Sequence, residues 1–158
     1  IFKSSKSTKE QIEKIKNTEK TIAFFYISTD GKAVVRRSTD YIPTMIQIAG
    51  GRYIFKNLDD KDGKTSIPMT IEKFYDVAAD ADYIVYNGSI DHSVRNMKEL
   101  LEKDPIMKKF KAVKTGNCWR TGASMYQRTD IVGDMIIDFN KLLTEKNPKN
   151  LKFISKLE

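Results

Sequence analysis

Apolar residues fall into runs of two kinds. Residues 21–27 (Thr-Ile-Ala-Phe-Phe-Tyr-Ile) and 83–87 (Tyr-Ile-Val-Tyr-Asn) are nearly continuous apolar stretches of strand length, the pattern of strands covered on both faces. Residues 34–55 read as strand, polar turn, short helix, double glycine and strand. Val34 and Val35 are β-branched and suit a strand. Ser38, Thr39 and Asp40 are candidate N-caps, because their side-chain oxygens accept the free N–H groups of a first helical turn. Pro43 is tolerated in that turn, where no intrahelical donor is lost. Tyr41, Met45, Ile48 and Ala49 then share one helical face, and Gly50-Gly51 ends the helix.

The remaining elements follow from the same periodicities. Residues 7–20 predict a highly charged helix with only Ile12 and Ile15 apolar, broken over 17–20. Residues 29–32 form a turn around Asp30-Gly31. Residues 56–66, rich in Asp, Lys and Gly, read as a surface loop. Thr70 caps a helix to about Ala79, with Phe74, Val77, Ala78 and Ala81 inward. Asn87-Gly88 closes the second buried strand sharply. A helix over 93–103 places Val94, Met97, Leu100 and Leu101 on one side, and Asp104-Pro105 breaks it and caps a short turn to Phe110. Residues 111–114 and 118–120 predict two short strands joined by a turn at 115–117. Asp130 caps a final long helix carrying Ile131, Met135, Phe139, Leu142 and Leu143, and residues 151–154 tuck back onto the body. Strands alternating with helices predict an α/β domain, a three-layer αβα Rossmann-like lobe with a mostly parallel central sheet. No internal repeat, low-complexity stretch or linker divides the 158 residues.

Composition narrows the classes. Hydrophobic residues make up 40% and charged residues 31%, too apolar for a disordered chain. A net charge of +7 suits nucleic acid, an anionic membrane surface or an anionic small ligand. Most lysines are interleaved with acids, as in Lys9-Glu10, Glu13-Lys14 and Glu102-Lys103, which argues for a solvated surface and against a nucleic-acid face. Cys118 is the sole cysteine, so no internal disulfide or thiolate metal cage can form. No apolar run approaches the ~20 residues of a membrane helix. The chain opens Ile1-Phe2-Lys3 without Met or a visible signal peptide, as expected if a leader was removed or if this is a piece of a longer protein.

No catalytic signature stands out. Gly-x-Gly-x-x-Gly after a strand and the phosphate-loop Gly-Lys-Ser/Thr are both missing. The sole histidine, His92, has no recognisable zinc or triad partners and reads as a turn residue. Cys118, beside Trp119, reads as a buried structural thiol rather than a nucleophile. The paired carboxylates Asp59-Asp60 and Asp80/Asp82 suit solvation or capping better than acid–base work. More informative are Arg36, Arg37, Asn87, Trp119, Arg120, Tyr126 and Gln127, all at or just past predicted strand ends, with Tyr41 opening the helix beside the arginine pair. In a parallel sheet such ends share one edge, where ligands bind. Guanidinium groups among rings would form a cationic, partly apolar cup for an anionic ligand. The alternative is that Arg36 and Arg37 are exposed strand-end charges and Trp119 is core.

The ordered series of segments resembles a known family. Residues 36–54, with Ile48-Ala49-Gly50-Gly51, are similar to the helix, Ala-Gly-Gly, strand segment of ABC-transporter solute-binding proteins of the iron-siderophore, haem and cobalamin type. Residues 81–88 resemble that family's next strand. Residues 110–119 (Phe-Lys-Ala-Val-Lys-Thr-Gly-Asn-Cys-Trp) resemble its following strand pair. Tyr126-Gln127 and the helix with Gly133-Asp134-Met135 continue the match, over roughly residues 20–145. Such proteins have two α/β lobes joined by a long helix, with the ligand between them. The resemblance implies that residues 21–158 are the C-terminal lobe, that residues 1–20 are a lead-in helix after the connector, and that the N-terminal lobe lies outside this chain. It implies an extracytoplasmic protein, anchored in its full length as a lipoprotein, monomeric and without enzymatic activity or resident cofactor. Arg36, Arg37 and Arg120 would hold an anionic ligand, with Tyr41, Trp119 and Tyr126 as walls and Asn87 and Gln127 as hydrogen-bonding groups. A ferric siderophore is the first expectation, then haem; cobalamin is the third ligand class. Glu72 matches the family's carboxylate for arginines of the membrane permease, and equally suits a helix-dipole charge. The rival function is the Rossmann-like nucleotide-binding domain of an enzyme.

Overall fold

The structure, a computed structural model, describes residues 6–122 and 132–158. Its elements run α1 (Lys6–Glu13), β1 (Thr21–Ile27), β2 (Ala33–Arg36), α2 (Tyr41–Ile48), β3 (Arg52–Tyr53), β4 (Ser66–Met69), α3 (Ile71–Ala78), β5 (Tyr83–Tyr86), α4 (Met97–Lys103), a 3-10 turn (Pro105–Lys109), α5 (Lys111–Lys114), β6 (Cys118–Thr121), α6 (Val132–Thr144) and β7 (Ile154–Lys156). The seven strands form one sheet in the order β4-β2-β1-β5-β6-β7, with β3 also paired to β1. The centre is parallel, because β1 pairs in parallel with β3 and β5, and β5 with β6. Antiparallel strands β2 and β4 flank one side and β7 the other. Among the described residues, no helix is long and apolar enough to cross a membrane.

β1 organises the domain. Residues 22–25 are wholly buried, as a continuous apolar run requires when helices cover both faces. Phe25, Val35 and Tyr86 are in register and share one face. On that face the Phe25 ring meets Phe74 of α3 at 4.3 Å, and Phe74 meets Phe110 at 5.5 Å. The opposite face carries α2 and α6, which pack on each other, with α1 against α6. Asn140 of α6 donates to the Ala49 carbonyl at the end of α2 (3.0 Å).

The predicted caps are in place. The Asp40 carboxylate accepts from the Ile42 N–H, Thr70 Oγ1 from Lys73 and Asp104 from Ile106. Gly50 turns the chain out of α2 at φ +93°, and a Cβ there would lie 2.5 Å from the Lys16 carbonyl oxygen. The predicted cap Asp130 lies outside the described residues.

Four elements differ from expectation. Residues 111–114 are a helical turn, not a strand, because the chain passes through the Asp104-capped turn straight into it, with Lys114 N–H bonded to the Phe110 carbonyl. The helix predicted over 93–103 begins at Met97, where Asn96 rather than Ser93 is the cap. Ser93 instead bonds Asp91. The charged helix ends at Glu13, and the predicted loop 56–66 gives way at Ser66 to the edge strand β4, which tolerates Pro68. The α/β lobe with its parallel central sheet is as expected, with antiparallel pairings toward its edges, and the tail tucks back onto the body as the edge strand β7.

Asp138 explains why the tail docks. Its carboxylate is 2% exposed and accepts the N–H groups of Lys152 (2.9 and 3.1 Å) and Phe153 (2.7 Å). Replacing it leaves two part-buried donors without their acceptor. Asp138→Ala is expected to lower stability by about 2–3 kcal/mol in urea unfolding, with the tail amides losing hydrogen-exchange protection first; unchanged tail protection contradicts this. Cys118 is wholly buried and burial pushes its thiol up to about 12. It should resist alkylation in buffer and react fully in urea.

Candidate functional site

Four strands point their C-terminal ends at one rim. β1, β5 and β6 are mutually parallel, and β4 runs with them because it is antiparallel to β2, itself antiparallel to β1. Met69, ending β4, is level with Ala33 and so with Ile27 at the end of β1. From this rim leave the turn over residues 28–32, the Thr70-capped start of α3, the loop over residues 87–93 and the chain after Thr121. The rim of an open α/β sheet is where loops converge and where ligands bind.

A polar network anchored on the buried Tyr86 holds the 87–93 loop. Tyr86 Oη accepts from the Ile27 N–H (2.9 Å) and donates to Asp91 Oδ2 (2.6 Å). Lys103 Nζ reaches the same oxygen at 2.8 Å, and Ser93 donates its N–H and hydroxyl to Oδ1. Burial alone would raise the Asp91 pKa, but the hydrogen bonds from Lys103, Ser93 and Tyr86 outweigh it and hold the carboxyl well below its usual range. Burial, and next the Asp91 carboxylate, keep the Tyr86 phenol protonated far above its usual value. His92 Nδ1–H donates to the Gly88 carbonyl (2.7 Å), since a carbonyl can only accept. Gly88 also donates its N–H to Thr121 Oγ1 (3.1 Å), and a Cβ on it would lie 2.2 Å from the Thr121 carbonyl oxygen. Only glycine lets the β5 and β6 exits touch. Asn87 is buried, with its Oδ1 accepting from Ser89, whereas Ile90 at the loop crest is 45% exposed.

The predicted site residues fall into separate groups. Arg36, Arg37 and Tyr41 gather at the β2–α2 junction. Arg36 Nε pairs with Asp40 at 2.8 Å, and a second guanidinium nitrogen donates to Ser66 Oγ (3.2 Å), tying β2, α2 and β4 together. Arg37 donates to the Gly63 carbonyl (3.2 Å), and Tyr41 is exposed. Asn87 and Arg120 lie on the other side of β1, at the ends of β5 and β6, where Arg120 is level with Tyr86. Arg120 therefore shares the Phe25–Val35 face, and Arg36, one residue after Val35, points to the opposite one. β2 and β6 are three strand spacings apart, roughly 14 Å. Because β2 is antiparallel, its end leads away from the rim, so the structure does not bring Arg36 and Arg120 into one cup. Trp119 is 6% exposed on the face opposite Arg120 and packs below Lys156, away from the rim. Glu72 is exposed in the first turn of α3, beside the rim. Tyr126 and Gln127 lie outside the described residues.

Sequence reasoning missed Tyr86, Ile90, Asp91, Ser93 and Lys103. The Asn87-Gly88 pair marks the exit of β5, but nothing local shows that Lys103, at the far end of α4, returns to Asp91. The Arg120 Nε is buried and has no hydrogen-bond partner among the described residues, leaving a cationic donor at the end of β6.

The sequence has no significant match among protein-family models or curated proteins. Solved structures do match. The TroA-like periplasmic binding protein FepB from Veillonella parvula superposes with a TM-score of 0.67 at 11% identity, covering 96% of this chain and 52% of that one. IsdE of S. aureus, solved in complex with heme, gives 0.64 at 18% identity over 88% of this chain and 52% of its own. The iron-uptake substrate-binding protein PiaA from Streptococcus pneumoniae gives 0.60 at 22% identity, over 87% and 50%. The chain thus spans about half the length of these proteins and has the fold of one of their α/β lobes.

Two outcomes are expected at the rim. Gly88→Ala forces β5 and β6 apart and lowers stability by about 1–3 kcal/mol, measured by thermal or urea unfolding; a neutral substitution contradicts the close approach. Asp91 has a depressed folded pKa, so its contribution is fully present above the unfolded value near ~4 and is lost as pH falls through the folded value. Asp91→Asn should therefore flatten the acid limb of a stability–pH profile, and parallel limbs in the two proteins contradict it.

Proposed function

We propose that this chain is the C-terminal lobe of an ABC-importer solute-binding protein that carries an iron chelate outside the cytoplasm. The observation that carries this reading is the match of most of the chain to about half of each of these binding proteins, at TM-scores of 0.60 to 0.67. The rim supports it. A lobe that offers one wall of a cleft needs loops held rigidly at one sheet edge, and the Tyr86–Asp91–Lys103 network and the Gly88–Thr121 contact provide that stiffness.

In this reading Asn87 and Arg120, with Tyr126 and Gln127 from the segment after β6, meet the ligand. Arginine suits the carboxylate, hydroxamate or catecholate oxygens of a ferric siderophore, or a haem propionate. The net charge of +7 assists an anionic chelate. A ferric siderophore is the first choice and haem the second. Glu72, beside the rim, docks on a permease arginine. The full-length protein is anchored as a lipoprotein and works as a monomer, with no chemical step.

The test is a calorimetric titration of the two-lobed protein with ferric hydroxamate and catecholate chelates, hemin, cobalamin and ATP. Saturable binding of one chelate is expected, weakened about tenfold or more by Arg120→Ala and little by Arg37→Ala. Binding of ATP with no chelate bound would instead support a nucleotide-using enzyme.

A further inference from the structure

Asn87-Gly88 is the only Asn-Gly pair in the chain. In an unfolded chain such a pair is chemically labile, because glycine has no side chain to hinder the attack of its nitrogen on the preceding carboxamide. A bond forms between Gly88 N and Asn87 Cγ, the Cγ–Nδ2 bond breaks, and the proton of Gly88 N leaves with the ammonia. Water then opens the cyclic imide, on one side to aspartate and on the other to isoaspartate. A water is consumed, an ammonia is released and nothing is oxidised or reduced.

The fold arms one half of this reaction and locks the other. Asn87 is 1% exposed, and its Oδ1 accepts from the Ser89 hydroxyl, a bond that polarises the carboxamide toward attack. The 87–88 peptide group, whose nitrogen must lose its proton and close on Cγ, is held at both ends. Its carbonyl oxygen accepts from the N–H groups of Ile90 (3.3 Å) and Asp91 (3.1 Å). Its N–H donates to the Tyr86 carbonyl (2.9 Å) and to Thr121 Oγ1 (3.1 Å). Thr121 is wholly buried, and its hydroxyl in turn donates to the Tyr86 carbonyl at 3.4 Å. The lock is therefore the contact between the exits of β5 and β6.

The product does not fit back into that contact. Isoaspartate lengthens the backbone by a carbon just before Gly88, where even an added Cβ would lie 2.2 Å from the Thr121 carbonyl oxygen. Either product also puts a carboxylate at a position with almost no access to water. We propose that Asn87 is a site of self-modification gated by the rim: local opening of the β5–β6 contact frees Gly88 N to attack Asn87 Cγ, and completion of the reaction leaves the rim unable to close. This does not depend on the solute-binding reading.

The wild-type chain and Thr121→Val are incubated at mildly alkaline pH over a series of urea concentrations, and conversion at Asn87 is followed by peptide mass mapping. The folded wild type should convert at least ~100-fold more slowly than the unfolded chain. Below the unfolding transition its rate should be insensitive to urea, because local opening exposes little surface. Thr121→Val keeps the buried shape but removes an acceptor of the Gly88 N–H, and while folded it should convert about fivefold faster than wild type. The converted fraction should lose hydrogen-exchange protection over residues 87–93 while residues 22–25 keep theirs. Equal rates in the folded and unfolded chain, a rate that climbs with urea well below the transition, a Thr121→Val chain no faster than wild type, or full protection of the converted loop overturns the proposal.

Discussion

β1 is hydrogen-bonded along both edges and covered on both faces, and the rest of the domain is arranged by that burial. One edge takes β5 over residues 22–25. The other is divided between β3 at the start of the strand and β2 at its end. The two half-neighbours meet head to head, and Tyr53 seals the junction by accepting from the Arg36 N–H (2.9 Å) and donating to the Arg36 carbonyl (2.7 Å). A strand buried on all sides leaves no backbone group for water, so every neighbour must hold its register.

That constraint also decides where function can lie. β2 must return antiparallel to cover the upper half of β1, so Arg36 leaves the sheet beside its middle and is consumed in fastening α2 and β4 through Asp40 and Ser66. The strands that do end together, β1, β4, β5 and β6, carry their loops to the far rim. There polar groups are spent on rigidity: the Asp91 carboxylate gathers bonds from Tyr86, Ser93 and Lys103 around a loop whose crest is the exposed Ile90.

Much of this was legible from residue order. The two continuous apolar strands, the Asp40 and Thr70 caps and the Gly50 exit depend on local chemistry, and each stands where periodicity and capping rules put it. What failed was non-local. Lys111-Ala112-Val113-Lys114 reads polar, apolar, apolar, polar; four residues are too few to choose a period, and the preceding turn carries them into a helix. Ser66–Met69 contains Pro68, which masks its strand pattern although an edge strand has room for it. The Asp30-Gly31 turn is itself a hairpin signal, and read as such it returns β2 antiparallel and takes Arg36 off the rim. The assignment of one cup to Arg36 and Arg120 came from treating every strand end as equivalent. The Asp91–Lys103 pair joins two elements through space, and sequence alone has no mark for it.

The central claim, that the C-terminal rim of the parallel strands is the recognition surface, is tested most directly by amide chemical-shift mapping of the isotope-labelled chain with diamagnetic gallium chelates of siderophore and porphyrin type. The account predicts perturbations concentrated at residues 28–32, 87–93 and 120–122 and at Tyr126 and Gln127. Perturbations centred on Arg36, Arg37 and residue 63, with the 87–93 loop silent, would contradict it.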